Sequence, residues 1–316
     1  MVYLAGFASF LFPGTGQAFT GQLRLAVVWA IAATLALVGM AWLPHVGFAS
    51  IAIRVVSSID AVRKVKRSAA GTQYLTSAGI LAGAQAGVFV LVRLFVLESA
   101  TVMASSMAPT LNQGDHMFVN KLAPRFTGYH RGDVVLFDHP IGYRFVKRIA
   151  AVGGDELAVR AGVLHVNGRA VPRTELGPTS HWDNVESDRW LERDVIQYEE
   201  TLGDHTFRVL HEPDPATQDF PDLTASADPC GDATATAGFI DHPPVYDQPR
   251  MRTNANGTCT VPAGTVFMLG DNRDNSNDSR SWGVVPVGKL VGRVSSIWYS
   301  TNKKTGTGLA RFGRID

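Results

Sequence analysis

The chain has 316 residues, 46% hydrophobic and 18% charged, with a net charge of +1 and a mean hydropathy near zero; on average it fits neither an ordinary soluble enzyme nor a polytopic transporter. That average joins two unlike parts: apolar stretches broken by a few basic residues up to about Leu97, then charges, Gly, Pro and Asp at globular frequency from Glu98 onward. The second part carries no basic stripe with interleaved aromatics, so no nucleic acid is expected as a partner.

Residues 1–12 lack a basic n-region and run into Pro13 and Gly14, so they do not read as a cleavable secretory signal. The segment FPGTGQAFTGQ that follows resembles a small two-helix membrane module found fused to various proteins, and it assigns no chemistry. Leu25 to Leu43 is 19 residues without a charge, close to what a helix needs to cross the hydrocarbon layer. Pro44 ends it. His45 to Ile59 is a second, shorter candidate span in which Arg54 has to snorkel or pair. DAVRKVKR comes next, and its Arg63, Lys64, Lys66 and Arg67 are expected to form a loop held on the cytoplasmic side. A further helix, from about Tyr74 to Leu97, then delivers everything beyond Glu98 to the opposite side of the membrane. The predicted division is a membrane module over 1–73 with two probable spans and a basic cytoplasmic loop, a transmembrane helix over 74–97, and an extracytoplasmic domain over 98–316.

Beyond Glu98, short β-rich runs (HMFVNKL, DVVLFDHP, YRFVKRIAAV, ELAVRAGVLHVNG, TVFMLG and VGRVSSIWYS) are cut by Gly-Asp pairs such as Gly132/Asp133 and Gly270/Asp271. The expected fold class is mainly β, an antiparallel sheet domain preceded by two to three transmembrane helices. From about 167 to 260 the chain is polar and turn-rich, which predicts an inserted cap of looser order. Cys230 and Cys259 have no CxxC or Cys/His ligand spacing around them, so no metal is expected; in an oxidising compartment they pair, and otherwise they stand as two free buried thiols.

Four segments carry the chemistry: SSMAPTL from Ser105, GDHMFVNKL from Gly114, RGDVVLFDHPIGYRFVKRIAAVGGD from Arg131, and GDNRDNSNDSRSWGVVP from Gly270. In this order behind a membrane anchor they closely resemble the type I signal peptidases (leader peptidases), from about Phe95 to Tyr299. ETLGDHTFRVL, from Glu200, also resembles the cap of Gram-negative members. The resemblance implies Ser106 as nucleophile, its backbone N–H as an oxyanion donor, Lys147 as general base and Ser276 as the hydroxyl that orients the lysine. It further implies Asp271, Asp278 and Arg280 as charged residues bracing the site, and Ala100, Val102, Phe145 and Val146 as walls that receive small substrate side chains. Ser105 takes the preceding, non-catalytic position. At Ala104 many Gram-negative members have a serine whose hydroxyl helps bind the oxyanion, and here that hydroxyl is missing.

The residue types suit the chemistry. A serine hydroxyl is weak until a base engages it, and a lysine can be that base only when burial among apolar neighbours lowers its pKa; Phe145, Val146 and Ile149 flank Lys147. None of the nine histidines sits in an HExxH or GxSxG context, which disfavours a zinc peptidase or a Ser/His/Asp hydrolase. The implied activity is endopeptidase cleavage after Ala-x-Ala type sequences, removing signal peptides from exported preproteins through an acyl-enzyme without a cofactor. The implied partners are those signal peptides, the lipid bilayer and the export translocon, at the bacterial inner membrane. A specialised Ser/Lys peptidase maturing one partner, such as a conjugative pilin, and a non-catalytic membrane scaffold are the alternatives.

Overall fold

A computed structural model of the protein describes residues 2–39, 46–67, 75–160, 163–186, 189–213 and 258–315. The chain divides into two units, Met1–Glu98 and Ser99–Asp316.

The described part of the first unit is helical: α1 (Val2–Leu11), α2 (Thr15–Phe19), α3 (Leu23–Gly39), α4 (Val46–Arg67) and α5 (Leu75–Phe95). α1 and α3 both pack along α4. Between them the Gly-rich segment buries Gln17, whose amide donates to Ser57 O at 2.9 Å and Asp60 Oδ2 at 2.8 Å and accepts from Ser9 Oγ at 3.1 Å. A buried amide with its bonds made fixes one packing of the helices. Arg54 does pair: its Nη1 donates to Phe10 O at 3.1 Å and Leu11 O at 2.5 Å, the carbonyls left over at the end of α1. The expected basic loop is instead helix, since α4 runs on through Arg67. Cations suit the last turns of a helix, and Lys64 bonds Asp60 four residues back at 2.9 Å. Among the described residues no helix is long and apolar enough to cross a membrane; residues 40–45 and 68–74, which adjoin or interrupt the expected spans, lie outside them.

The strands begin with β1 (Leu97–Thr101), which spans the boundary at Glu98, and continue in the second unit with β2 (Asp115–Asn120), the short helix α6 (Ala123–Thr127), β3 (Val134–Asp138), β4 (Arg144–Val152), β5 (Glu156–Arg160), β6 (Val163–Val166) and β7 (Arg169–Ala170). They are followed by β8 (Arg173–Glu186), β9 (Arg189–Leu202), β10 (His205–His211), β11 (Cys259–Thr260), β12 (Thr265–Leu269), the short helix α7 (Ser279–Trp282), β13 (Val285–Pro286), β14 (Leu290–Ser300) and β15 (Gly313–Arg314). The main sheet has the order β1-β2-β14-β3-β4-β12-β13, with β15 added to β14. Its central strands β3 and β12 are near-continuous apolar runs, VVLF and VFML, because both of their faces are covered: Leu136 and Val134 face a cluster with Met107, Met117 and Val294, while Val135 and Phe137 face Ile149, Val266 and Met268. A smaller sheet, β11-β5-β6-β7, packs beside it.

The cap departs from the looser order expected of it. β8 and β9 are 14 residues each and form with β10 an antiparallel sheet, β10-β9-β8, whose β8–β9 ladder shifts register between Glu175 and Gly177 and between Asn184 and Glu186. Its buried apolar anchors are few, Val195, Leu202, Phe207, Val209 and Leu210, so apolar alternation is faint in the sequence. The sheet docks through close backbone approach. Gly132, at φ +90°, lies where a Cβ would come within 2.6 Å of Leu202 O, a conformation and a clearance that favour glycine. Residues 214–257 of the expected insertion lie outside the described set. Cys259 is buried beside Leu157 and Phe207 and is disulfide-bonded; the chain's other cysteine, Cys230, is outside the described residues.

Candidate active site

The turn between β1 and β2 is pinned by Met107 and Leu111, both fully buried, which leaves Ser106 half-buried at the surface of the main sheet. On β4, opposite Val135 of β3, Lys147 is buried and its Nζ is hydrogen-bonded to Ser106 Oγ. These two residues are 41 apart in sequence, and the sheet brings them together. Burial pulls the lysine from its ordinary value down to about 8; Asp278 and Asp271 oppose the shift and Arg280 adds to it.

The segment from Gly270 to Arg280 closes over this pair. Asp278 is its hub: Oδ2 accepts from Gly270 N at 2.9 Å and from Ser276 Oγ at 2.8 Å, and Arg280 Nε donates to Oδ1 at 2.8 Å. Burial alone would raise this carboxyl, but Arg280 beside it, with help from Lys147, holds it below its ordinary value. Ser276 is fully buried, and its hydroxyl donates to Asp278 at 2.8 Å while keeping its lone pairs free to accept; no bond joins it to Lys147 among the described residues. Asp271 receives Arg148 through two bonds, Nε at 2.9 Å and Nη2 at 2.8 Å, and Thr110 Oγ1 at 2.5 Å. Arg280 also reaches the carbonyls of Arg273 and Ser276, tying the loop to itself.

Sequence reasoning gave no role to Arg148, which is 2% exposed. It donates to Gly132 O at 2.7 Å and stacks over the Phe207 ring at 3.7 Å, so it joins β4, the motif loop and the cap. Arg273 is likewise buried and paired with Glu200 of β9. The available signal was the adjacency of two cations, Lys147 and Arg148, in a strand too central to expose both. Of the four expected wall residues, Ala100, Val102 and Val146 meet in one cluster with Met107. Phe145 belongs to another, stacked on Trp282 with ring centroids 5.8 Å apart, because adjacent strand residues face opposite ways. A cavity of about 360 Å³ runs beside Thr101 and Met103, bounded by Asn184 and Trp190 of the cap and by Asn302. Ser106 N–H donates to no group among the described residues. Those residues also hold no cluster of His, Cys, Asp and Glu fit for a metal ion.

The family described as signal peptidase, peptidase S26, matches residues 75–299. Among curated proteins, the "Signal peptidase I" of Aquifex aeolicus is 28% identical over 214 residues, 66% of this chain and 78% of that protein. The proteins of the same name from Rickettsia typhi and Pseudomonas aeruginosa are each 26% identical, covering 66% and 72% of this chain and 75% and 74% of theirs.

Proposed function

The chain belongs to the signal peptidase family, peptidase S26, and on that footing we propose that it removes signal peptides from exported preproteins with Ser106 as nucleophile and Lys147 as general base. The observation that carries the assignment is the hydrogen bond between Lys147 Nζ and Ser106 Oγ, made by an amine that burial lowers to about 8. A neutral amine takes the hydroxyl proton as Oγ attacks the scissile carbonyl carbon. The protonated amine then gives that proton to the departing amine nitrogen, leaving an acyl-enzyme. Lys147 next accepts a proton from water, whose oxygen attacks the ester carbonyl, and returns it to Ser106 Oγ as the acid product leaves. Ser106 N–H is placed to bind the oxyanion. Asp271, Asp278 and Arg280 brace the site and tune the lysine without reacting, and Ser276 acts through Asp278. No cofactor enters.

The substrate binds as an extended strand beside residues 100–103, where the cavity and the small side chain of Ala100 favour small residues near the cut. Apolar residues of α3 and α5, among them Leu35, Ile80, Phe89 and Leu91, are each more than half exposed, which supports the first unit lying in a lipid bilayer. With the basic end of α4 in the cytoplasm, the peptidase unit faces the other side, where the export translocon presents preproteins. Reporter fusions at Lys64 and Asp274 test the topology, and finding both on one side would break it. The chemistry is tested by incubating the purified full chain with a preprotein and mapping the cut by mass spectrometry: the wild type cuts after an Ala-x-Ala type sequence and Ser106→Ala does not.

A further inference from the structure

Ser105, next to the proposed nucleophile, is contacted by two side-chain amides of the motif loop that also reach the cap. Asn272 Nδ2 lies 3.4 Å from Ser105 O and 3.2 Å from His181 Nε2. Asn275 Nδ2 lies 3.3 Å from Ser105 Oγ and 2.7 Å from Asp183 Oδ2. His181 and Asp183 are two residues apart on β8, so their side chains leave the same face of the strand, and both are buried. Each amide therefore has one contact on the cap and one on the nucleophile turn. Asn272 adds a third, its backbone N–H donating to Ser106 O at 3.1 Å.

The peptide unit that these contacts hold is the one that matters for the oxyanion. Ser105 C=O and Ser106 N–H belong to a single planar group, so fixing the carbonyl also fixes the direction of the N–H. We propose that His181 is a positioning residue for the peptidase reaction: through Asn272 it orients the Ser105–Ser106 peptide so that Ser106 N–H points at the developing oxyanion. This deepens the proposed function and rests on Ser106 being the nucleophile. The effect weighs more here because Ala104 supplies no hydroxyl to share the charge.

Hydrogen-bond polarity sets the state that His181 needs. An amide nitrogen only donates, so His181 Nε2 has to present its lone pair, which requires a neutral ring with its proton on Nδ1. Turning the amide round would set its oxygen against Ser105 O. Burial lowers the His181 pKa; Asp183, 4.0 Å away, opposes this, and Arg193 of β9 assists it. Arg193 in turn pairs with Asp183 at 2.9 Å and Glu212 at 3.2 Å, and Asp274 of the motif loop lies 3.2 Å from His211 of β10. Protonating His181 would press an N–H against the Asn272 amide hydrogens and open the bridge.

The test uses the full chain in detergent with a signal-peptide substrate. His181→Leu is expected to lower kcat about tenfold with KM within about twofold, because the lost alignment acts on charge present only in the transition state. His181→Gln offers an oxygen acceptor in place of Nε2 and should recover most of that loss. In the wild type, the slope of log kcat against pH should steepen above one at the acid end, where His181, held below its ordinary value by burial, protonates after Lys147, and it should stay at one in His181→Gln. An unchanged kcat in His181→Leu, a His181→Gln as slow as His181→Leu, or equal slopes in wild type and His181→Gln would overturn the assignment. If His181→Leu does not fold, the slope in His181→Gln decides. Activity retained by Ser106→Ala would remove the nucleophile itself, whereas an inactive Ser106→Ala beside an unaffected His181→Leu would remove only the bridge.

Discussion

A Cβ placed on Gly270 would stand 2.1 Å from Ser276 Oγ and 2.5 Å from Ser106 O, so the glycine that opens the motif loop is the spacer between the buried serine and the nucleophile turn. One of these neighbours is backbone and cannot swing away. Gly270→Ala is expected to displace Ser276 or the Ser106 turn, costing about 1 to 3 kcal/mol in stability as overpacking. Its activity should fall at least tenfold, more than its thermal shift explains. Wild-type kinetics in Gly270→Ala would mean the loop relaxes without touching the dyad.

Ser106→Ala and Lys147→Ala should each abolish processing while leaving the fold intact, and the double variant should be no worse than either, since nucleophile and base act as one unit. Ser105→Ala should keep most activity: its hydroxyl only accepts a 3.3 Å bond from Asn275, and its carbonyl, the group held by Asn272, remains. An inactive Ser105→Ala with an active Ser106→Ala would exchange the two assignments. Peptide cleavage assays on the three variants, with circular dichroism as the folding control, decide between them.

Activity should follow the free-amine fraction of Lys147. The folded lysine is depressed to about 8, so it is mostly protonated and inert as a base at pH 7, and mostly free at pH 9. kcat/KM is therefore expected to rise about fivefold from pH 7 to pH 8 and less than about twofold from pH 8 to pH 9. A rising limb whose midpoint lies below about pH 6 would point to a carboxylate or histidine base instead.

What the sequence made legible was local: GDNRDNSNDSR places Asp271, Ser276, Asp278 and Arg280 in one loop, and hydrogen bonds within that loop tie most of them together. Contacts between distant segments were not legible. Arg148 and Asp271 are 123 residues apart, and no spacing rule pairs them; only the β4–β12 register brings them together. The cap hairpin is not legible as paired strands because a ribbon with few buried anchors shows little alternation. DAVRKVKR reads as a loop when only its charge is weighed, yet the Asp60–Lys64 spacing is helical. Ser276 shows what a motif leaves out: its place in the loop is legible, but the donation of its hydroxyl to Asp278 is not.

Reduction of the disulfide at Cys259 should lower thermal stability more than activity. Cys230 and Cys259 are the only cysteines, with 28 residues between them, a loop whose closure contributes roughly 3 to 4 kcal/mol by chain-entropy reckoning. Cys259 is buried in the cluster with Leu157 and Val261, apart from the one that holds Met107 of the nucleophile turn. Thermal melts and cleavage assays with and without reductant measure the two effects. Titration of two thiols in the native, unreduced protein would dispose of the pairing.

Ala104 is the remaining departure with a rate consequence. It is exposed, two residues before Ser106, and on the proposed mechanism a serine hydroxyl there would join Ser106 N–H at the oxyanion. Loss of one oxyanion donor costs about 10² to 10³ in kcat where it has been removed from other enzymes. This site either runs slower for want of it or takes its second donor from elsewhere. Nothing among the described residues accepts from Ser106 N–H, so one backbone donor is available, and the Asn272 bridge to Ser105 O holds its direction. Ala104→Ser is therefore expected to raise kcat with KM nearly unchanged, because an added hydroxyl acts on charge that exists only in the transition state. The gain should shrink if the N–H is misdirected, so Ala104→Ser made on His181→Leu should recover less than Ala104→Ser on the wild type. Steady-state kinetics on a signal-peptide substrate measure both, and an unchanged or lower kcat in Ala104→Ser would show that the hole already has its second donor from backbone or water.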